Sequence, residues 1–208
     1  MSVIFVIILV ATIVISYQGF NNYPFFNRYK FNIREVKRGD YIRLISSGFL
    51  HADWSHLIFN MLSLYFFQGI IVQTMGSFLF LVIYFGSMVL GSIFSLYIYR
   101  NQSYYSAIGA SGAVSGIVFA AIALFPDSIR VNFMPGWIFG TIYFGYSAYM
   151  MLNPQRGDNL GHSAHLGGAF FGLIVVLLYN PLLVIQHTFY LGAMALPLIY
   201  IGYKLLKK

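Results

Sequence analysis

The chain is poor in charge and has no cysteine. Of its 208 residues only 8% are charged, 12 of them Lys or Arg and 5 Asp or Glu. A soluble domain carries about 25% charged residues. The surface of a soluble globule of this size, a disordered chain, a coiled coil and a nucleic-acid-binding domain are all excluded on that count. Zero cysteines exclude disulfides and thiolate chemistry. What fills the chain is apolar: 59% hydrophobic residues, a mean hydropathy of +0.75, 17 Tyr and 21 Phe. The solvent this composition suits is lipid, where only helices or closed barrels satisfy the backbone.

The apolar runs are long and do not alternate, which favours helices over barrel strands. The fold class expected is all-α, a polytopic membrane helix bundle. Spans are expected near 3–19, 55–72, 78–98, 106–125, 133–152 and 161–179. A seventh at 182–203 is interrupted by Gln186, His187 and Pro197. The first run has no preceding Lys or Arg and no small-residue cleavage site, so it reads as a membrane helix and not a removed signal peptide. One connection is long, 20–54, with Arg28, Lys30, Arg34, Lys37, Arg38 and Arg43, and Trp54 at its end. The whole of 1–208 reads as one membrane domain.

The five acids, Glu35, Asp40, Asp53, Asp127 and Asp158, all fall outside these spans. Proton-coupled carriers and aspartyl intramembrane proteases need carboxylates at depth. Zinc intramembrane proteases need H-E-x-x-H on a helix, and the chain has none. A zinc cluster of His51, His56, His162 and His165 would lack any carboxylate or cysteine ligand. No metal, no cofactor and no nucleic-acid partner is expected.

Three segments carry the polar residues of the spans. His56 and Asn60, four apart, share one helix face near the start of span two. Ser111 lies in Ser106-Ala-Ile-Gly109-Ala-Ser111-Gly112, opening span four, about 7–9 Å inside a start near 106. His165 lies in Gly161-His162-Ser-Ala-His165-Leu-Gly-Gly168, opening span six. Spans two, four and six start on the same side, so these residues share a face and a depth. Gly112-x-x-x-Gly116 and Gly168-x-x-x-Gly172 are small-residue faces that let helix backbones approach closely. Packing them together brings the Ser111 hydroxyl to the His165 imidazole, a nucleophile and base without an acid. His56, Asn60 and the Ser111 backbone N–H are candidate oxyanion donors. Ser115 is expected to bond its own backbone, His187 to sit at the interface, and His162 to line the same mouth.

Gly109-Ala110-Ser111-Gly112, His51…His56…Asn60 and Ala164-His165-x-x-Gly168-x-x-x-Gly172 together resemble the rhomboid family of intramembrane serine proteases. The resemblance covers nearly the whole chain. It implies a fold of six core spans plus one at the C-terminus. It implies Ser111 as nucleophile, His165 as general base, and His56 and Asn60 as oxyanion donors. His51 matches a family histidine that is not the base, and Arg43 the arginine of the family's first-loop aromatic–Arg pair. Ile42 stands where that aromatic often is. Ser115 stands where some members carry an aromatic that packs on the catalytic histidine.

The function expected is hydrolysis of peptide bonds in or beside transmembrane segments of protein substrates in the bilayer. Substrates would enter past span five, loosened by Gly136, Gly140 and Gly145, with 153–160 as a lid. A pseudoprotease binder of membrane helices is the rival reading, and a small channel or carrier a second. The compact chain, without an Arg/Ser-rich leader, suits a prokaryotic plasma membrane. Orientation is contested. Eleven Lys and Arg lie on the side of the 20–54 loop, against only Arg130 opposite. The positive-inside rule would therefore put the mouth of the site in the cytoplasm. The resemblance implies an extracytoplasmic mouth, which is the expectation taken.

Overall fold

The computed structural model describes residues 2–131, 133–153 and 161–206. Ten helices follow in order: α1 Val3–Asn21, α2 Tyr23–Tyr29, α3 Ile33–Lys37, α4 Arg43–Ser46, α5 Trp54–Ile98, α6 Ser111–Leu124, α7 Gly136–Leu152, α8 His162–Tyr179, α9 Pro181–Gln186 and α10 Thr188–Leu206. Two short antiparallel pairs accompany them. β1 (Phe31–Asn32) pairs β2 (Ser106–Ala107), and β3 (Arg130–Val131) pairs β4 (Met134–Pro135). The chain is an all-α polytopic membrane bundle.

Helix α6 is its axis. Every residue from Gly112 to Leu124 is buried. A helix apolar on all sides belongs in the centre of a bundle, and α5 and α8 clasp this one. Among the described residues three helices are long and apolar enough to cross a membrane: α1, α5 and α8. Helix α5 has 45 residues, about twice what a bilayer needs. Gly76 breaks it, with φ 86° and ψ 164°. That backbone favours glycine because a Cβ is strained there. The two arms return to one side. His56 near the start of the first lies against Gly109, and Ser92 near the end of the second donates to the Leu44 carbonyl at 3.1 Å.

Several expected boundaries shift. The runs 55–72 and 78–98 are one interrupted helix and not two separated by a loop. The span expected from 106 starts as a helix only at Ser111, because Ser106 and Ala107 are committed to the β1–β2 ladder. Ser111 is therefore the first helical residue, not a turn and a half inside. The run 182–203 splits into α9 and α10 at His187, whose Nδ1 meets the Ala123 carbonyl at 3.2 Å. Pro197 is accommodated inside α10.

The 20–54 loop is a folded unit. Asn22, Asn32 and Asp53 cap α2, α3 and α5 by accepting from Phe25, Glu35 and His56 backbone N–H groups, as short polar side chains do at helix starts. Phe31, Ile33 and Val36 form a small core of their own. Arg43 is the pin. Its Nε donates to Asp40 at 2.8 Å, and one terminal nitrogen donates to the Asn27 and Lys30 carbonyls at 2.9 and 2.8 Å. Asp40 also pairs with Arg28. The Arg43 hydrogen bond, opposed by partial desolvation, and the Arg28 charge together hold the Asp40 carboxyl below its ordinary range. Ser47 Oγ donates to the Arg43 carbonyl, and the Ser47 carbonyl accepts from Gly109 N–H at 3.0 Å. The loop is thus tied to the segment that precedes Ser111.

Candidate active site

The site forms where the starts of α5, α6 and α8 meet. The Ser111 hydroxyl lies 2.7 Å from His165 Nε2, across 54 residues of sequence. Glycine contacts make that distance possible. A Cβ on Gly168 would overlap the Gly112 carbonyl oxygen, and one on Gly172 would overlap the Gly116 carbonyl oxygen. Ala164 and Gly91 make a third close approach, with the Ala164 carbonyl oxygen 2.5 Å from where a Gly91 Cβ would stand. His165 is 8% exposed, while Ser111 is half-buried.

Gly109 turns the chain into α6 with φ 111°, and a Cβ there would meet His56 Nε2 at 2.8 Å and Ser111 Oγ at 3.7 Å. The His56 imidazole therefore lies against the turn that leads to Ser111. Ala110 caps α6 with no side-chain hydrogen bond. The N–H groups of the first turn, Ser111 among them, have no intrahelical acceptors, and the helix dipole makes that end electropositive. Asn60 shares the His56 face, but the bond it makes is local: Nδ2 donates to the His56 carbonyl at 2.9 Å. An amide has a second N–H beyond that one.

His51 has a defined place. Its Nε2 accepts from Ala110 N–H at 3.3 Å, and its Nδ1 lies 2.9 Å from Ser16 Oγ, which donates to the Phe49 carbonyl at 2.8 Å. With Nε2 accepting, a neutral ring carries its proton on Nδ1. Burial is the main cause that lowers its pKa to about 3, with the neighbouring His56 second. The His51 and His56 rings meet edge-on at 4.9 Å. His51 thus links α1 to the residue before Ser111.

Sequence reasoning missed Tyr143. Its ring stacks on His165, with centroids 6.2 Å apart and planes at 28°. Its hydroxyl lies 3.0 Å from Ser115 Oγ, so Ser115 bonds across to α7 and not to its own backbone as expected. His162 is buried between Tyr146 (5.5 Å) and His165 (6.1 Å). Among the described residues no three His, Cys, Asp or Glu side chains converge as metal ligands. A cavity of about 30 Å³, lined by Ser47, Ser92, Ser95, Gly109 and Ser111 among others, is large enough for a water.

The expected loosening of α7 at its glycines is not what the packing gives. Gly136 receives Ile122 and Pro126, and Gly140 receives Met194 and Phe119, all at close range; Gly145 is in ordinary contact with Pro197 of α10. The proposed lid at 153–160 lies, after Asn153, outside the described residues.

The rhomboid-domain family profile matches residues 38–181, the stretch that contains this whole cluster. The chain belongs to the rhomboid family. It is 29% identical over 178 residues to "RHOMBOID-like protein 12, mitochondrial" of Arabidopsis thaliana, covering 76% of this chain and 52% of that one. It is 31% identical over 143 residues to "Putative rhomboid protease YdcA" of Bacillus subtilis, covering 69% of each. It is 30% identical over 140 residues to "Rhomboid protein 1, mitochondrial" of Saccharomyces cerevisiae, covering 64% of this chain and 40% of that one. This rhomboid spans about half the length of the Arabidopsis relative. The family and its apolar helices make it a multi-pass membrane protein.

Proposed function

We propose that this rhomboid is a serine endopeptidase that hydrolyses peptide bonds in or beside transmembrane segments of membrane proteins. The observation that carries the reading is the 2.7 Å separation of Ser111 Oγ and His165 Nε2 at the bundle's central helix. In this mechanism the Ser111 hydroxyl attacks the scissile carbonyl as His165 Nε2 takes its proton. The carbonyl oxygen becomes an oxyanion. The Ser111 N–H, the His56 imidazole N–H and the free Asn60 amide hydrogen are its donors, each worth about 10²–10³ in rate. The imidazolium then protonates the leaving amine, and Ser111 keeps the acyl group as an ester. A water, deprotonated by the same Nε2, attacks that ester and releases the acid. No cofactor or metal enters.

A helical carbonyl is bonded to its own backbone N–H, so a substrate must unwind locally before Ser111 can reach it. Small or helix-breaking residues near the cut are therefore preferred. One membrane domain over 1–208 carries the activity. The mouth faces the extracytoplasmic side of a plasma membrane. The decisive experiment uses the full chain in proteoliposomes with a single-span reporter. Ser111→Ala and His165→Ala each abolish cleavage and labelling by a serine-directed fluorophosphonate while the bundle stays folded. Cleavage that survives in Ser111→Ala removes the reading and favours a pseudoprotease contaminated by another enzyme. Transport activity in that variant would favour a channel.

A further inference from the structure

His165 stands at the start of α8, with Nε2 toward Ser111 and one ring face toward α7. Four residues after Ser111, on the next turn of α6, stands the small Ser115, which cannot cover the imidazole. The covering ring comes from another helix. Tyr143 of α7 lies over His165 at 6.2 Å and 28°, an offset stack of the kind aromatic pairs prefer. The ring is held at three other points: its hydroxyl by Ser115 Oγ at 3.0 Å, and its faces and edge by Phe119 at 5.4 Å and Phe139 at 5.7 Å. Ser115 is thereby explained as the partner of a tyrosine that arrives from outside α6.

Resting on the dyad reading above, we propose that Tyr143 is a positioning residue for His165 and that it makes the alignment of the base depend on where α7 sits. Helix α7 packs on α10 and α8, and meets α6 through Ser115, Phe119 and Ile122. Met194 of α10 fills the notch left by Gly140, one turn before Tyr143. The last helix of the chain therefore helps set the position of α7, and α7 sets the ring that faces the base. If α7 shifts outward, the ring leaves the imidazole and the Ser111–His165 geometry loosens. The site is in working order only when α7 is seated.

The test uses the full chain in nanodiscs and reads the rate of fluorophosphonate labelling of Ser111, which needs no transmembrane substrate. Tyr143→Leu removes the ring. Labelling is expected to slow by about 10- to 100-fold, as misplacing a reacting group by about 1 Å does. The acid limb of its pH profile is expected to move, and kcat on a single-span reporter falls while KM holds. Tyr143→Phe, which keeps the ring and loses only the Ser115 bond, is expected to lose far less. If Tyr143→Leu does not fold, Tyr143→Met keeps the volume without a ring and serves in its place. Labelling at the wild-type rate with the wild-type pH profile in a folded ring-less variant overturns the proposal and leaves the dyad intact. Labelling that persists in Ser111→Ala overturns the dyad and this proposal with it.

Discussion

Gly168→Ala puts a single methyl into a seam where two helix backbones touch. The atom it meets is the backbone carbonyl oxygen of Gly112, which cannot swing aside as a side chain would. Ordinary non-bonded contact requires about 3.5–4 Å, so α6 and α8 must part by about 1 Å or more at this level. Ser111 is the residue before Gly112, and His165 lies three residues before Gly168 on the same helix. The parting therefore passes directly into the 2.7 Å Oγ–Nε2 distance, which opens beyond hydrogen-bond range at about 3.7 Å. Over-packing of this kind costs about 1–3 kcal/mol, and the misalignment about 10²-fold in rate. Gly172→Ala makes the same overlap with the Gly116 carbonyl, one turn further from the dyad. It is expected to lose as much stability and less activity. Gly192→Ala, which meets nothing within 4 Å, is the control and gains about 1 kcal/mol from helix propensity. Thermal melts in detergent, paired with reporter cleavage in proteoliposomes, separate the two effects. Equal activity losses in Gly168→Ala and Gly172→Ala would refute the view that this seam sets the dyad distance.

Other outcomes follow from the same geometry. His51 is held neutral, its pKa falling from 6.5 to about 3 on folding. Its contribution to stability is complete above pH 6.5 and is lost as pH falls from 6.5 toward 3. Melts between pH 7 and pH 4 should drop less steeply in His51→Gln than in the wild type. Arg43→Lys keeps a charge but not the fork that joins Asp40 to two carbonyls; about 1–3 kcal/mol should be lost, read by urea unfolding at neutral pH. Gly76→Ala meets no atom within 4 Å yet must adopt φ 86°; a loss of about 1–2 kcal/mol by thermal melt is expected, and an unchanged melting point would count against a strained hinge. A protease-accessible tag in the 20–54 loop should be cleaved from outside intact cells, and protection there would reverse the proposed orientation.

Much of the bundle could be read from the sequence because lipid leaves few choices. Uninterrupted apolar runs gave the helices, and helix parity put His56, Ser111 and His165 on one side. The pairing of Gly112 with Gly168 could be read from spacing alone, because only small residues permit such contact. What escaped was settled by neighbours distant in sequence. Ser106 and Ala107 carry no strand signal in two residues; Phe31 and Asn32 recruit them, and α6 is shortened as a result. The break in α5 was hidden because Gly76 sits in an apolar run and its signal is a backbone angle. Tyr143 was one tyrosine among 17, and its role rests on facing Ser115 and His165 across two helix interfaces. The His51 relay was equally silent, since Ser16 and Ala110 are ordinary residues until the fold puts the imidazole between them.

The ladder between Phe31–Asn32 and Ser106–Ala107 joins two stretches made far apart during synthesis, and His165 is made later still. A nascent chain that has inserted only its first three apolar runs holds neither the Gly109 turn nor His165. One that stops before α8 has Ser111 but lacks His165, the imidazole that lies 2.7 Å from it. The Ser111–His165 contact therefore forms only after at least 165 residues have been made and docked. A membrane that receives this protein meets the Ser111 turn well before the imidazole that comes to stand beside it.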